Sequence, residues 1–280
     1  MKYTVLAILL LLLLSCHHTK KTSDQLYSRH LQRKVQLNIL HTPVPDDRSS
    51  LNLLILNDGQ DMERFRVKEI VDSLSRLDEI EPLLIVGVEP GDRMQEYGVA
   101  DKPDYLGRGS KAAAYDAFIN DELYFYAKKQ AGVRKFNSVA IAGCSLGGLS
   151  AFDIAWNHPE KIQKAGIFSG SFWWRDKAAT DSTYSDEKDR ILLNKIKASR
   201  KKPHQQYWFY AGAKEETSDR DKDGIIDVID DTKDLIALLE NKNAVPDQDI
   251  QYTELPDGQH DYPYWSRELP HFLLWAFGKH

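Results

Sequence analysis

One segment in the middle of the chain restricts the fold more than any other. An apolar run, Val139–Cys144, leads into Gly-Cys-Ser-Leu-Gly, and a stretch suited to a helix follows from Leu149. This order of strand, sharp turn and helix is the context in which a nucleophilic serine is held above a sheet. Gly143 and Gly147 lack Cβ atoms, so neighbouring backbone can pass close to the turn. The pattern predicts that Ser145 is a nucleophile at the head of a helix, whose free N–H groups suit a developing oxyanion.

Strand and helix patterns alternate along the rest of the chain. Apolar or alternating runs predict strands at residues 33–40, 51–56, 82–88, 139–144, 165–168, 207–211 and 250–255. Helical patterns separate most of these strands, at residues 62–77, 111–131, 190–199, 231–243 and 264–277. The alternation predicts an α/β fold in which helices cover both faces of a mostly parallel central sheet. Residues 89–110 are polar and rich in glycine, which predicts a long loop of the kind that often carries function.

The amino terminus is typical of an exported protein. Lys2 precedes an apolar run at residues 5–14. This run is too short to cross a bilayer, because a membrane-spanning helix needs about 20 apolar residues. The run ends in Leu-Leu-Ser-Cys, which resembles the lipobox of bacterial lipoproteins. We therefore predict a signal peptide at residues 1–15, acyl chains on Cys16, a polar tether at residues 16–31 and one folded domain at residues 32–280. The expected location is the bacterial cell envelope, where the lipid holds the protein to a membrane on its periplasmic or outer face.

Charge and cysteine content limit the partners. The chain carries 37 basic and 42 acidic residues, mixed along its length, and its net charge is −5. This balance argues against nucleic acid as a partner. Cys16 and Cys144 are the only cysteines, so acylation of Cys16 leaves no disulfide within the chain. We expect Cys144 to be a small buried thiol.

A serine nucleophile needs a base, and the base needs an acid that orients it. In α/β-hydrolases the chain order is serine, acid, histidine, and the histidine follows the last strand. Of nine histidines, His260 alone stands in that loop. The acid is expected after the strand at residues 207–211, where Glu215 and Glu216 are adjacent and Asp219 follows. Glu215 is favoured and Glu216 is the alternative, since neighbours in an extended loop point in different directions.

The oxyanion formed during acyl transfer needs two N–H donors. The N–H of Leu146, the residue after the nucleophile, is the expected first donor. The second donor is expected in the loop after the strand at residues 51–56, where Gln60 and Asp61 are both candidates. The catalytic steps themselves call for no cofactor.

Four segments together resemble the putative-esterase family, which includes esterase D, enterochelin-type siderophore esterases, feruloyl and acetylxylan esterases and mycolyltransferases. The segments are Leu-Asn-Asp-Gly-Gln-Asp at 56–61, Gly-Cys-Ser-Leu-Gly-Gly at 143–148, Phe-Ser-Gly-Ser-Phe-Trp-Trp at 168–174 and Asp-Gly-Gln-His at 257–260. The resemblance spans residues 35–278. It implies an α/β-hydrolase esterase domain with Ser145 as nucleophile, His260 as base and the acid in the loop after Gly212. Members of the family often carry Asp where Glu215 stands.

A second pattern predicts a metal site. Residues 219–230 match the spacing of an EF-hand loop, with a glycine at the sixth position and a final Asp in place of the usual Glu. The alternative is a solvated acidic turn at the start of the helix that follows. A structural calcium ion would order the acid loop, and its ligands would be Asp219, Asp221, Asp223, Ile225, Asp227 and Asp230.

Loop aromatic residues and arginines suggest how a substrate is bound. Trp173 and Trp174 suit stacking on a sugar or phenolic ring, and Arg93 could pair with an anionic group. The sequence therefore predicts a lipid-anchored serine esterase that acts on a siderophore ester or on an acyl or feruloyl group of a carbohydrate. An acyltransferase that uses the same three residues is one alternative. A non-catalytic, calcium-stabilised glycan-binding lipoprotein is the other.

Overall fold

A computed structural model describes residues 19–44, 48–202 and 204–279 of the chain. Its eight strands are β1 Lys20–Ser28, β2 Arg33–His41, β3 Asn52–Asn57, β4 Leu83–Val88, β5 Val139–Cys144, β6 Lys164–Phe168, β7 Gln206–Gly212 and β8 Ile250–Leu255. They form one sheet in the order β1-β2-β4-β3-β5-β6-β7-β8. The pairs β1–β2 and β2–β4 are antiparallel and the other pairs are parallel. The predicted α/β-hydrolase fold is confirmed.

Nine α-helices connect or flank the strands of the described chain. They are α1 Val67–Arg76, α2 Arg93–Glu96, α3 Ala112–Ala117, α4 Tyr124–Ala131, α5 Leu146–Asn157, α6 Asp186–Asp189, α7 Ile191–Ala198, α8 Asp227–Glu240 and α9 Tyr262–Phe277. A π-helical stretch, Phe118–Leu123, joins α3 to α4. Within the described ranges, no helix combines the length and apolar character that a membrane span requires.

Helices cover both faces of the sheet because the central strands are apolar on both faces. Along β3, Leu53 and Ile55 pack into one core, and Leu54 and Leu56 pack into the other. Helices α1 and α9 cover the second core, whereas α3, α4, α5, α7 and α8 cover the first. An apolar run without alternation is the pattern expected of such strands.

The first strand corrects the predicted domain boundary. Residues 20–28 form β1 and pair along their whole length with β2, so this part of the tether predicted for residues 16–31 belongs to the sheet, and the folded domain begins before the predicted residue 32. Most β1 side chains are exposed, because an edge strand is held by backbone hydrogen bonds and needs no apolar face. Thr19 is fixed as well, since its N–H and its hydroxyl both donate to Asp72. Cys16 and the predicted signal peptide lie outside the described residues.

Two helix boundaries differ from the predicted ones. A 3₁₀ turn at Gly59–Asp61 and a left-handed Arg66, with φ of 55°, delay the start of α1 to Val67. Helix α8 starts earlier than predicted, at Asp227, so the end of the acidic loop is already helical. The parallel strands bring their carboxyl ends to one edge of the sheet, where ligands bind in open α/β folds.

Candidate active site

The loops that follow β5, β6, β7 and β8 meet at the carboxyl edge of the sheet. They enclose a cavity of about 240 Å³ that is lined by Ser145, Ser169, Gly170, Ser171, Trp173, Glu215, Glu216, Val228 and His260. The fold therefore brings together the predicted nucleophile, the predicted base and both candidate acids, which are up to 115 residues apart in the sequence.

The turn after β5 holds Ser145 in a conformation that residues with a side chain rarely adopt. Its φ is 56° and its ψ is −122°, and a strain of about 1–3 kcal/mol is typical of such a residue. Helix α5 begins at the next residue, so the Leu146 N–H belongs to the first turn, whose N–H groups have no partner within the helix. The Ser145 Oγ lies 3.3 Å from the Ser171 Oγ. The hydroxyl thus stands in the cavity at the positive end of α5.

Cys144, the neighbour of Ser145, is a structural residue. Its side chain is buried in the core under α1 and α9. Burial raises the pKa of the Cys144 thiol well above its usual range, and the nearby Asp58 carboxylate acts in the same direction. A protonated, enclosed thiol is a poor nucleophile. The nucleophile candidate at this turn is therefore the serine.

The structure brings Glu215 to His260. The Glu215 Oε2 lies 2.8 Å from the His260 Nδ1, and the Glu215 side chain is only 1% exposed. The other oxygen, Oε1, accepts hydrogen bonds from the Gly212 N–H at 2.6 Å and from the Ser169 hydroxyl at 2.5 Å. Both oxygens of this carboxylate are thus occupied, and one of them can hold the imidazole in a single orientation and tautomer.

Glu216 points elsewhere and stabilises a helix. Its Oε1 accepts a hydrogen bond of 2.8 Å from the N–H of Val228, in the first turn of α8. Burial raises the pKa of the Glu216 carboxyl above its ordinary value, while this hydrogen bond acts in the opposite direction. A carboxylate at a helix amino terminus satisfies an N–H group that has no partner within the helix. The two adjacent acids therefore have different partners.

The loop after β3 supplies Gln60 as the candidate for the second oxyanion donor, since its N–H has no partner among the described residues. The Asp61 N–H donates to the Asp58 carbonyl at 2.9 Å, so it is already used within the 3₁₀ turn. Gln60 lies one residue earlier, and its N–H is in the first turn of that short helix. Asn57 ties the loop to the nucleophile turn, because its Nδ2 donates to the Gly147 carbonyl at 2.7 Å. Tyr115 in turn donates its hydroxyl proton to the Asn57 Oδ1 at 2.7 Å.

Arg93 is engaged within the protein. Its Nε and Nη2 donate to the two oxygens of Asp58 at 2.7 and 2.9 Å, and Nη2 also reaches the Cys144 carbonyl at 3.4 Å. The guanidinium therefore fastens the loop after β3 to the strand before the nucleophile. Its charge is balanced by Asp58, which differs from the predicted role of binding an anionic substrate.

The two adjacent tryptophans occupy different environments. Trp174 is fully buried, donates its Nε1–H to the Lys102 carbonyl at 3.1 Å and packs against the long loop after β4. The prediction that it lines the site is wrong, because this side chain belongs to the core. Trp173 does line the cavity, and the guanidinium of Arg108 lies 4.7 Å from the centre of its ring. A partly exposed ring with a cation on one face remains available for stacking.

Three of the predicted calcium ligands form a cluster. Carboxylate oxygens of Asp219, Asp221 and Asp223 lie within 4.8 Å of one another. Burial raises the pKa of the Asp230 carboxyl, and the charges of Asp223 and Asp221 act in the same direction. Asp227 turns away from the cluster. Its Oδ1 accepts from the Arg220 N–H at 2.9 Å and its Oδ2 lies 3.3 Å from the Arg175 Nη2, because the early start of α8 carries it into the core.

Sequence reasoning missed two residues that complete the site. Ser169 and Trp265 lie behind Glu215 and His260, and the Trp265 Nε1–H donates to the Ser169 Oγ at 2.8 Å. Ser169 directly follows β6, as Ser145 follows β5, so its place at the carboxyl end of a parallel strand was a usable indication. Trp265 is in α9, and nothing in the sequence pattern distinguishes it from a core residue.

Solved structures with the same fold cover most of the chain. A ferulic acid esterase matches with a TM-score of 0.68 and 18% identity, over 94% of this chain and 98% of that one. The enterobactin esterase of Shigella flexneri, solved in the presence of enterobactin, matches with a TM-score of 0.71 and 20% identity. That match covers 94% of this chain but 61% of the Shigella protein, so this chain corresponds to part of it.

Sequence comparison assigns the family. The Bacillus subtilis (strain 168) protein YbbA, which is uncharacterized, is 24% identical over 242 residues, or 83% of this chain and 88% of that protein. The family model described as Putative esterase matches residues 28–276, which is nearly the whole described chain. This match includes all four segments on which the resemblance rests. The chain therefore belongs to the Putative esterase family and is a carboxylic ester hydrolase.

Proposed function

We propose that this hydrolase is a serine esterase that works through an acyl-enzyme with Ser145, His260 and Glu215 as its triad. The observation that carries the proposal is the 2.8 Å contact between Glu215 Oε2 and His260 Nδ1 in the cavity that also contains Ser145. With Nδ1–H donated to the carboxylate, the His260 Nε2 is left to accept a proton.

The catalytic steps follow from this arrangement. Ser145 Oγ attacks the ester carbonyl while His260 takes its proton, and the Leu146 and Gln60 N–H groups donate to the oxyanion. His260 then gives the proton to the leaving alcohol, and the acyl group remains on Ser145. Water, deprotonated by His260, attacks the acyl-enzyme and releases the carboxylic acid. The Glu215 carboxylate stabilises the imidazolium that forms twice in each cycle.

The substrate classes that we propose are a siderophore ester and an acyl or feruloyl group on a carbohydrate. Trp173 offers an aromatic surface beside Ser145, which suits a phenolic or sugar ring. The names of the two solved relatives agree with these classes, although identities of 18% and 20% establish the fold alone. A panel of enterobactin, methyl ferulate and acetylated xylan would separate them by kcat/KM.

The decisive experiment compares wild-type protein with Ser145→Ala on short-chain nitrophenyl esters. A soluble form that starts at residue 17 keeps the whole of β1, and the full chain in detergent serves as its reference. We expect a loss of about 10³-fold or more in kcat/KM. Ser75→Ala, on α1 and outside the cavity, is the matched control and should keep full activity.

Two other outcomes have clear meanings. A folded wild-type protein with no turnover, no labelling of Ser145 by a fluorophosphonate and measurable affinity for glycans would support the glycan-binding alternative. Three functional side chains in one cavity argue against that alternative, because a binding protein needs no such set. If added alcohols capture the acyl group more often than water does, the enzyme is an acyltransferase that uses the same acyl-enzyme.

We also propose that the acidic loop binds a calcium ion through Asp219, Asp221 and Asp223, with Asp230 nearby. Several oxygens that converge on one point are what this hard cation requires. One oxygen of Asp219 and one of Asp230 are shielded from solvent and have no hydrogen-bond partner among the described residues, which is a costly state without a cation. A calcium ion would take no part in the chemistry and would stabilise the loop that carries Glu215.

Anchoring through lipid on Cys16 remains our proposal for the location. The sheet begins at Lys20, four residues after Cys16, so acyl chains on Cys16 would hold the domain close to the membrane surface. Substitution of Cys16 by Ala should release the protein from the membrane fraction of cells. Retention of the Cys16→Ala protein in that fraction would contradict lipid anchoring.

A further inference from the structure

The side chains of Ser169 and Trp265 form a hydrogen-bonded pair beside the Glu215–His260 contact. Ser169 is hydrogen-bonded to Glu215, and the Trp265 ring packs against His260. Ser169 is completely buried and Trp265 is 5% exposed, so water does not compete for their bonds. We propose that this pair positions the Glu215 carboxylate against His260. The inference rests on the proposed triad and extends it to two residues that act on the triad through their contacts with Glu215 and His260.

The direction of each proton in this chain of contacts is fixed by chemistry. An indole Nε1–H can only donate, so the Ser169 Oγ must accept the Trp265 bond of 2.8 Å. The one hydroxyl proton of Ser169 is then free to point at Glu215 Oε1, 2.5 Å away. Because the serine donates and a carboxylate oxygen accepts, this bond holds the Glu215 side chain with its other oxygen turned to His260. Without Trp265, the hydroxyl could rotate away from this bond.

The backbone at Ser169 supports a role for its side chain. Its φ is 53°, in the left-handed region where glycine is comfortable and a serine is strained. The Ser169 N–H donates to the Tyr210 carbonyl at 2.8 Å, so the neighbouring strand holds this conformation. Glycine would relieve the strain but would leave Glu215 Oε1 with the Gly212 N–H as its remaining donor. The presence of a hydroxyl at a position suited to glycine is explained by the bond to Glu215.

Trp265 also contacts the base. Its ring meets the His260 ring edge to face, with centroids 5.1 Å apart and planes at 80°. The same side chain therefore packs against the imidazole on one side and sets the Ser169 hydroxyl on the other. Asp261, at the start of α9, accepts the Tyr264 N–H and so fixes the first turn of the helix on which Trp265 lies. Through Trp265, helix α9 therefore packs against the base, His260, and also positions the acid, Glu215, by way of the Ser169 hydroxyl.

The test uses two substitutions that separate strain from hydrogen bonding. Ser169→Ala and Ser169→Gly both remove the hydroxyl, and only the glycine also removes the strain. We expect both to lower kcat about 10–100-fold with little change in KM, by analogy with the loss seen when a partner that orients a metal ligand is removed. The glycine variant should keep the wild-type melting temperature. Trp265→Phe keeps the ring against His260 and removes the N–H, so its loss should be smaller.

The pH profile distinguishes positioning from a general structural effect. Without the Ser169 hydroxyl, the Glu215 carboxylate is free to shift against the His260 Nδ1, which changes how it interacts with the imidazole. The acid limb of kcat/KM against pH reports the base of the free enzyme, so this limb should move in both Ser169 variants. Ser266→Ala and Trp275→Phe are the matched controls on α9, since the Ser266 hydroxyl has no partner among the described residues and Trp275 packs against Phe272. Neither control should move the limb.

The failure of this inference can be told from the failure of the esterase proposal. If wild-type activity depends on Ser145 but both Ser169 variants keep the wild-type kcat and pH profile, the positioning role is refuted. If no Ser145-dependent activity is found, the low-field proton resonance of the His260 Nδ1–H is the readout. A changed resonance in Ser169→Gly supports the pair, and an unchanged one overturns it. If Ser169→Ala does not fold, Ser169→Gly and Trp265→Phe decide the question in the full chain.

Discussion

The nucleophile turn at residues 143–148 and the acid loop at residues 212–230 meet in one cavity but are held by different forces. The nucleophile turn is enclosed by backbone, and its glycines are needed for close packing. A Cβ on Gly143 would lie 2.4 Å from the Gly147 carbonyl oxygen, a distance that no packed side chain tolerates. The shape of this turn is therefore set by steric limits that the sequence itself displays.

The acid loop is held at one end and open at the other. The Ala213 N–H donates to the Leu255 carbonyl at 2.9 Å and the Lys214 N–H donates to the Gly258 carbonyl at 2.8 Å, so the loop is tied to the segment that carries His260. From residue 217 onward many side chains are exposed, and side-chain hydrogen bonds replace close packing. The comparison shows that the acid loop is tied by backbone hydrogen bonds near Glu215 and is more exposed beyond it.

The sharpest test of the acid loop compares two isosteric changes, Glu215→Gln and Glu216→Gln. The first should lower kcat about 10⁴-fold, because a neutral amide stabilises the imidazolium poorly, and because its NH₂ group would face the His260 Nδ1 if its oxygen keeps the Gly212 and Ser169 bonds. The second should leave kcat within a few fold, since a glutamine oxygen can still accept from the Val228 N–H. Both are measured by steady-state hydrolysis of a nitrophenyl ester. Equal losses in the two variants would contradict the assignment of different partners.

The nucleophile turn is tested by Gly143→Ala. The added methyl group forces the backbone at Gly147 to move, and such overpacking typically costs about 1–3 kcal/mol of stability. A shift of about 1 Å at the nucleophile can cost about 10²-fold in rate. Thermal unfolding and kcat should therefore fall together. Gly107→Ala is a control for steric contact, since a Cβ there meets nothing within 4 Å, although its φ of 73° adds backbone strain. A fully active Gly143→Ala enzyme would show that this turn is less constrained than its contacts indicate.

The difference between the nucleophile turn and the acid loop also explains which site residues could be predicted from the sequence. Ser145 follows from a motif with steric meaning, and His260 follows from its position after the last strand. Apolar runs such as residues 51–56 gave the parallel sheet, and the fold class was confirmed. The choice between Glu215 and Glu216 depends on Ser169, a partner 46 residues away, and no local pattern contains that information.

Two other predictions, the tether over residues 16–31 and the placement of Trp174 in the site, failed because they too depend on contacts between distant parts of the chain. Strand β1 has no apolar alternation, because an edge strand exposed on its faces is specified by backbone pairing with β2. Trp173 and Trp174 are identical in type and adjacent, yet one lines the cavity and the other is buried against Gly98 and Gly109. Composition and spacing cannot separate neighbours whose environments are set by tertiary packing.

The smallest expected effect concerns the open end of the acid loop. At a concentration 100 times its Kd, calcium would stabilise the protein by about 2.7 kcal/mol, which corresponds to a rise in Tm on the order of 5 °C. Asp221→Ala should abolish the rise, whereas Asp121→Ala, at an exposed acid in the π-helical stretch, should keep it. Differential scanning calorimetry at millimolar calcium checks this, and an unchanged wild-type Tm would refute the site. We expect kcat to change little with calcium, because Ser169 and the Gly212 N–H already hold Glu215. A large dependence of kcat on calcium would instead show that the exposed part of the acid loop controls the position of Glu215.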